Sequence, residues 1–406
     1  MTPELRPFSG LKVLDLSWVV AGPAVGRVLA DYGAEVIRVE SGTRLETARL
    51  VGPFHGGSFA PEASVCYGDV NAGKLGMTLN LKLEAARDVV RDLVRRSDVV
   101  IESFSPGVME RWQLDYEHLR ELNPALIMLS TSLMGQTGRY SRFAGYGNIG
   151  GAMSGFQSLV GWPDRPPLGP YGPYSDYVAP RFSLVALLAA LDHRLETGEG
   201  CYLDVSQAEA TVQFLAPQLA DYFASGQVAE RLGNRDQAMA PHGVYACAGE
   251  DSWVAIAVRS EAEWHRLAGL IGRPELAGDS RFATVADRLA RAEELDAIVG
   301  AWTAEQVAGD VESLLQGHGI PAHITISSTN ALADPQFAHR GHFVELPHPI
   351  HGTTVVHSSR YRLSETPAIT ARAAPTLGEH TEYVLREILG YDDERLRTLE
   401  GAGSTA

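Results

Sequence analysis

The 406-residue chain carries 34 lysines and arginines against 50 aspartates and glutamates, a formal charge of −16. That excess excludes nucleic acid and anionic membrane as general partners, and an anionic ligand would need a local basic pocket. With 45% hydrophobic and 21% charged residues, the chain has the composition of a soluble globular protein of about two domains. Cys66, Cys201 and Cys247 are odd in number and far apart, so neither a disulfide framework nor a metal spacing appears, and a reducing cytoplasm is the expected setting. Residues 1–7 hold no apolar signal core, and the apolar run from Val185 to Leu191 is too short to span a bilayer.

In chain order, Lys12 to Leu16 reads as a buried strand and Pro23 to Tyr32 as a helix stopped at Gly33. Glu35 to Glu40 is a second strand, Leu83 to Arg96 an amphipathic helix, and Asp98 to Glu102 a third strand. Tyr116 to Leu122 is a short helix ended by Asn123-Pro124, and Leu126 to Ser130 a fourth strand. This alternation predicts a parallel, doubly wound sheet whose ligands bind beyond the C-terminal strand ends. Those ends are rich in Ser, Gly and Pro, whose backbone amides can cradle phosphates. A dinucleotide site is disfavoured, because the first turn reads Ala21-Gly22-Pro23-Ala24-Val25-Gly26 and Pro23 lacks an amide that phosphate would need.

Further on, Phe182 to Leu195 predicts a long helix ended by Gly198, then a strand from Cys201 to Val205 and a helix from Ala208 to Phe223. Residues 243–246 and 252–258 alternate like paired strands, helices follow at 261–271 and 291–302, and 319–324 is a returning strand. Asp176, in Pro173-Tyr174-Ser175-Asp176, stands just before the long helix. It reads either as an N-cap or as a carboxylate nucleophile kept ionised by the helix dipole, and the two roles are compatible. His348, His351 and His357 fall in and after a turn rather than on one helix face, so no metal site is expected.

Several strings then carry a resemblance. Ser9-Gly10-Leu11-Lys12-Val13-Leu14-Asp15-Leu16, Ala21-Gly22-Pro23 and the run from Leu29 to Glu40 open the series. It continues through Leu79-Asn80-Leu81-Lys82, Ser97 to Gly107, Asp204 to Ala210, Gly233-Asn234-Arg235, Asp279 to Phe282 and Gly378-Glu379-His380-Thr381. Taken in order over nearly the whole chain, they resemble the class III (CaiB/BaiF-type) coenzyme A transferases.

The resemblance implies that Asp176 is the catalytic nucleophile, forming an acyl-aspartyl anhydride and then an aspartyl-CoA thioester. It implies CoA contacts at Val20, Ala21, Arg44, Leu79, Lys82, Ser103, Phe104, Ser105 and Arg111, and a substrate pocket that includes Tyr146 and His242. CoA and acyl-CoA would be substrates, with a free carboxylic acid as the other partner and no permanently bound cofactor. The implied fold is a discontinuous, Rossmann-like large domain (1–205 and 376–406), linker arms (206–230 and 330–375) and a smaller α+β domain (231–329). Two such chains would interlock as a homodimer.

The sequence departs from the family pattern at Ser41, where several relatives carry Arg; Arg44 or Arg38 would have to supply that charge. Val20 and the stretch from Arg235 to His242 also differ from formyl-CoA transferases, which argues against a formate/oxalate substrate. An α-methylacyl-CoA racemase is the first alternative, but Tyr146 and Gly147 stand where its His–Asp unit would be, and a neutral tyrosine is a poor base at pH 7. A non-catalytic CoA-binding subunit is the second, and Asp176 argues against it. The aromatic stretch Gly169 to Tyr174, with Trp162, Tyr146 and Met153, suggests a bulky or aromatic acid.

Overall fold

A computed structural model describes residues 6–406. Six strands form one parallel sheet: β1 (Lys12–Asp15), β2 (Glu35–Glu40), β3 (Leu75–Thr78), β4 (Val99–Glu102), β5 (Ile127–Ser132) and β6 (Tyr202–Ser206). Their order, β3-β2-β1-β4-β5-β6, reverses direction between β1 and β4. The doubly wound sheet read from the sequence is therefore present, and its reversal point is where such sheets leave a crevice.

Alternation along the strands loads both faces. Val13, Val36, Val99, Ile101, Ile127 and Leu129 join one core with Val25, Leu29, Leu184 and Leu187. Leu14, Ile37, Val100 and Met128 join the other with Val89, Leu93, Leu385 and Leu396. Side chains two apart share a face, so a strand buried on both sides must be apolar throughout.

The helices covering the sheet and its loops are α1 (Ala21–Asp31), α2 (Val65–Asn71), α3 (Glu84–Val94), α4 (Val108–Arg111), α5 (Tyr116–Leu122), α6 (Gly147–Met153), α7 (Tyr174–Thr197), α8 (Gln207–Val212) and α9 (Ala216–Ser225). In α3, Ala86, Val89, Val90, Leu93 and Val94 are buried while Glu84, Arg87, Asp88 and Arg91 pair outside.

Three elements differ from the sequence reading. β3 was not expected. Its Gly76 reads as a break, but a Cβ there would come within 2.6 Å of Pro375, so the glycine allows close approach within a strand. α7 begins at Tyr174, eight residues before Phe182, and runs through Pro180. The expected helix from 208 to 223 is broken by a 3₁₀ turn at Gln213–Leu215, with Pro217 starting α9.

The chain divides into two units. Among the described residues the first comprises 6–157, 169–227 and 335–406, and includes the hairpin β10 (Phe343–His348) and β11 (Gly352–His357). The second comprises residues 158–168 and 228–334. Its antiparallel sheet, β7 (His242–Ala246), β8 (Trp253–Ala257) and β9 (Ala322–Ile324), is backed by a core that includes Trp264, Phe282, Val299 and Leu315.

Beneath the C-terminal ends of β1 and β2 lies a buried ionic network. Arg38 reaches Asp15 at 3.3 Å and also Glu46, and Lys74 Nζ lies 2.7 Å from Asp15 Oδ2. Arg49 grips Glu40 with a two-pronged contact at 2.7 and 2.9 Å and also holds Glu62 at 2.7 Å. Burial alone would raise the Asp15 carboxyl, but Lys74 and Arg38 outweigh it and hold it below the usual range. Burial in turn brings the Lys74 ammonium down to about 8, only partly opposed by Asp15.

Removing one member of such a network strands the others without solvent. Arg38→Met should lower unfolding free energy by about 3–5 kcal/mol in urea denaturation. Arg120→Ala, which breaks an exposed 3.4 Å pair with Glu117, should cost less than about 1 kcal/mol.

Candidate active site

The strand ends of β1, β2, β3 and β4, spanning the reversal point, frame a groove of about 350 Å³. Leu16 and Trp18 follow β1, Glu40 and Ser41 end β2, Leu79 to Lys82 follow β3, and Ser103 to Ser105 follow β4. α4 closes one side with Val108 and Arg111. Of the expected CoA contacts, Arg44, Leu79, Lys82, Ser103, Phe104, Ser105 and Arg111 are brought together here. Val20 and Ala21 are buried at the start of α1, outside this lining.

The reason lies in the first turn. A Cβ on Gly22 would meet Ser17 at 2.3 Å, so this glycine seats α1 on the strand end rather than admitting a ligand. Val19 sits at φ 66°, a left-handed conformation costly for a β-branched residue. Its N–H donates to Glu46 Oε1 at 2.7 Å, which ties the strained turn to the buried network.

The groove combines a cationic mouth with an aromatic wall. The exposed Arg44, Lys82 and Arg111 hold no ion pair among the described residues. Arg44 lies over the Trp18 ring at 5.1 Å; Trp18 and Trp112 flank Phe104 at 6.3 and 5.2 Å. Trp18 and Trp112 were missed by sequence reasoning because nothing local distinguishes them from core aromatics. Arg38 is committed to Asp15 and Glu46, so of the two arginines considered for the charge missing at Ser41, Arg44 is the one in the groove. Glu102 fixes the loop after β4 by accepting the Phe104 N–H at 2.7 Å, and burial raises its carboxyl to about 7.

Asp176 is 4% exposed and lies in the first turn of α7. It is not the N-cap; Pro173 holds that position without a side-chain cap bond. The Gly147 N–H donates to its Oδ2 at 3.3 Å, and Gln207 also hydrogen-bonds the carboxylate. Gln207 Oε1 accepts the Ser175 hydroxyl at 3.0 Å, which directs its amide N–H groups toward acceptors such as Asp176. Pro180 has no N–H, so the helical bond it would make to the Asp176 carbonyl is missing.

α6 presses closely on this turn. A Cβ on Gly147 would sit 2.6 Å from the Pro173 carbonyl and 2.9 Å from Asp176 Cγ, and one on Gly150 would sit 2.4 Å from Ser175 Oγ. Burial raises the Asp176 carboxyl to about 6, against the pull of Gly147 and Gln207. The dipole therefore does not hold it low, as its place near a helix start suggested; lost solvation dominates. At pH 7 the group is still mainly ionised.

Tyr146, the N-cap of α6, is 57% exposed beside this turn. His242 opens β7 in the second unit, with Nδ1 2.7 Å from the Asn234 carbonyl oxygen. In the aromatic stretch Tyr171 is fully exposed, while Tyr174 stacks on Phe156 at 4.8 Å. Trp162 belongs to the second unit, against Gly233. Among the described residues no group of three or more His, Cys, Asp or Glu is placed to hold a metal.

A carboxyl raised by folding destabilises the fold once ionised. The wild type should lose stability between about pH 4 and pH 6, by on the order of 3 kcal/mol for a rise from 3.8 to about 6. Asp176→Asn does not titrate, so it should be more stable than wild type at pH 8 by on the order of 1–3 kcal/mol and equal to it near pH 4, measured by urea unfolding at both pH values.

Comparison with known proteins places the chain. A family model described as CoA-transferase family III matches residues 8–381. A succinyl-CoA–D-citramalate CoA-transferase of Chloroflexus aurantiacus is 34% identical over 396 residues, covering 97% of each chain. A succinate–glutarate CoA-transferase of Agrobacterium fabrum is 36% identical over 386 residues, covering 94% of this chain and 96% of its own. The crystal structure of a CaiB/BaiF family protein from Brucella suis matches with a TM-score of 0.87 at 33% identity, over 94% of this chain and 99% of that one. The chain is thus an enzyme that belongs to the class III coenzyme A transferases.

Proposed function

We propose that the enzyme moves CoA from an acyl-CoA donor to a free carboxylic acid through covalent intermediates on Asp176. The observation that carries this reading is a buried, mostly ionised carboxylate backed by the Gly147 N–H and Gln207. In the first step an Asp176 oxygen attacks the thioester carbonyl; the C–S bond breaks and CoA leaves as thiolate, giving a mixed anhydride. The thiolate then attacks the aspartyl carbon, the anhydride C–O bond breaks, and the first acid departs as its carboxylate. The incoming carboxylate attacks the aspartyl-CoA thioester and expels the thiolate. The thiolate finally attacks the substrate side of the new anhydride and frees Asp176. No net proton is exchanged.

Attack through Oδ1 leaves Oδ2 as the aspartyl carbonyl oxygen, with the Gly147 N–H already aimed at it. That donor would stabilise the oxyanion formed when thiolate attacks the aspartyl carbon. The groove suits the nucleotide end of CoA: Arg44, Lys82 and Arg111 offset the phosphates, and Trp18, Phe104 and Trp112 offer apolar and stacking surface.

For the substrates we infer a succinyl-CoA donor and a short dicarboxylate acceptor, because relatives that match nearly the whole chain are named for succinate or succinyl-CoA with citramalate, glutarate or L-malate. This replaces the bulky aromatic acid suggested by the stretch around Tyr171. We also infer a homodimer that interlocks. From Phe182 to Leu191 α7 carries no charged residue, and Phe182, Val185 and Leu188 are exposed there, as are Leu195 further on and Phe223 on α9. A run of exposed apolar side chains on a helix calls for a covering surface, and a second copy is the natural cover. No helix among the described residues is long and apolar enough to cross a membrane; a cytoplasmic setting is our inference from the three free cysteines.

Incubation with a panel of acyl-CoAs and free acids, read by mass, should show CoA exchange fastest from succinyl-CoA to a four- or five-carbon dicarboxylate. Hydroxylamine should trap Asp176 as a hydroxamate during turnover, and Asp176→Ala should lower the rate by at least about 10³-fold; an active alanine variant would sink the mechanism. The kcat/KM of the wild type should fall below about pH 6 as the carboxylate takes a proton. Lys82→Gln and Arg111→Gln should each raise the KM for acyl-CoA by about tenfold with little change in kcat, as expected for groups that bind ground and transition states alike.

A further inference from the structure

A second basic pocket lies in the first unit, walled by α1, α2, α7 and the segment after β11. It encloses about 40 Å³, room for about three water-sized groups. Arg181, one turn beyond Tyr177 on α7, and Arg360 both line it. Arg181 is half-buried, yet neither guanidinium makes an ion pair or hydrogen bond among the described residues.

The acids in the wall are already committed. Asp31 takes Arg27 at 3.0 Å and the Thr370 hydroxyl at 2.8 Å. Asp69 takes the His357 N–H at 2.8 Å and its ring Nδ1 at 3.0 Å. Asp31 and Asp69 also line the cavity, but neither guanidinium pairs with them, so two unpaired arginines line one small cavity in a chain whose net charge is −16. Their mutual repulsion is felt locally. After burial, Arg360 is the main influence lowering Arg181, and His342 is pushed down by burial, His357 and Arg360.

We propose that this pocket is a binding site for a small oxyanion, inorganic phosphate or a carboxylate, which Arg181 and Arg360 hold between them. The cavity is too small for a nucleotide, whereas one tetrahedral or planar oxyanion head suits two arginine forks. The bound anion would fasten α7, whose first turn carries Asp176, to the segment that follows β11. The site is separate from the groove, since the two share no lining residue.

The test is thermal unfolding of the full-length protein against inorganic phosphate, with chloride at matched ionic strength as control. The wild-type midpoint should rise by about 2–4 °C between zero and 50 mM phosphate, and not with chloride. Arg181→Gln/Arg360→Gln should abolish that rise, while Lys82→Gln/Arg111→Gln, which alters the groove, should keep it. Should the double variant fold poorly, Arg360→Gln alone removes an exposed side chain and should still blunt the rise. No phosphate-specific shift in the wild type would overturn the proposal, as would an undiminished shift in the arginine variants. Sedimentation supplies the remaining arm: if the variants dissociate and phosphate stabilises no form, the arginines face a carboxylate of a second copy and the free-anion site is wrong.

Discussion

The ionic network under the ends of β1 and β2 is the constraint on which the groove depends. Asp15, Arg38, Glu46 and Lys74 have almost no solvent exposure, so each must be answered by another charge at fixed distance. Arg38 and Asp15 sit opposite one another in the β1–β2 register, Lys74 precedes β3, and Glu46 lies in the loop that follows β2. One cluster therefore fixes the ends of β1 and β2 and the entry to β3 relative to one another. Glu46 also reaches out of it to hold the strained Val19 turn. In a sheet of this order that turn conventionally grips phosphate through glycines. Here it is packed shut by Gly22 and Ser17, and the open groove lies at the ends of β2, β3 and β4.

Asp176 obeys a different logic. Its environment is poor in charge and rich in close contacts, and its partners are an amide N–H and a neutral carboxamide rather than a cation. A nearby arginine would have held the carboxyl low and made it sluggish in the nucleophilic role we propose. Burial with weak donors leaves it ionised near neutrality but under-solvated, and so more reactive. The stability lost by enclosing that charge is of the kind active sites commonly carry.

The sequence made the sheet legible where apolar runs coincide with strands buried on both faces, as from Val36 to Val39 and Val99 to Ile101. β3 escaped because Lys74 and Gly76 look like interruptions. In the fold they are a buried partner of Asp15 and a seat for Pro375. The start of α7 escaped because Pro180 resembles a stop signal, yet within a helix it only deletes one bond. Leu79, Lys82, Ser103, Phe104 and Ser105 were legible through family strings, and Arg44 and Arg111 as nearby cations, whereas Trp18 and Trp112 depend on long-range folding that no local pattern encodes. The sign of the Asp176 shift was missed for the same reason: helix position can be read along the chain, but burial arises from α6 and α8, which are distant in sequence.

The glycines of α6 bear on how such an enzyme can change its acid. With no room for even a methyl group at Gly147 or Gly150, the side of Asp176 that faces α6 cannot be re-tailored by substitution. Changes of selectivity would then fall on other approaches to the carboxylate. If Asp176 is the nucleophile we propose, a frozen wall on one side of it and a variable one on the other would let a lineage keep its chemistry while exchanging one carboxylic acid for another.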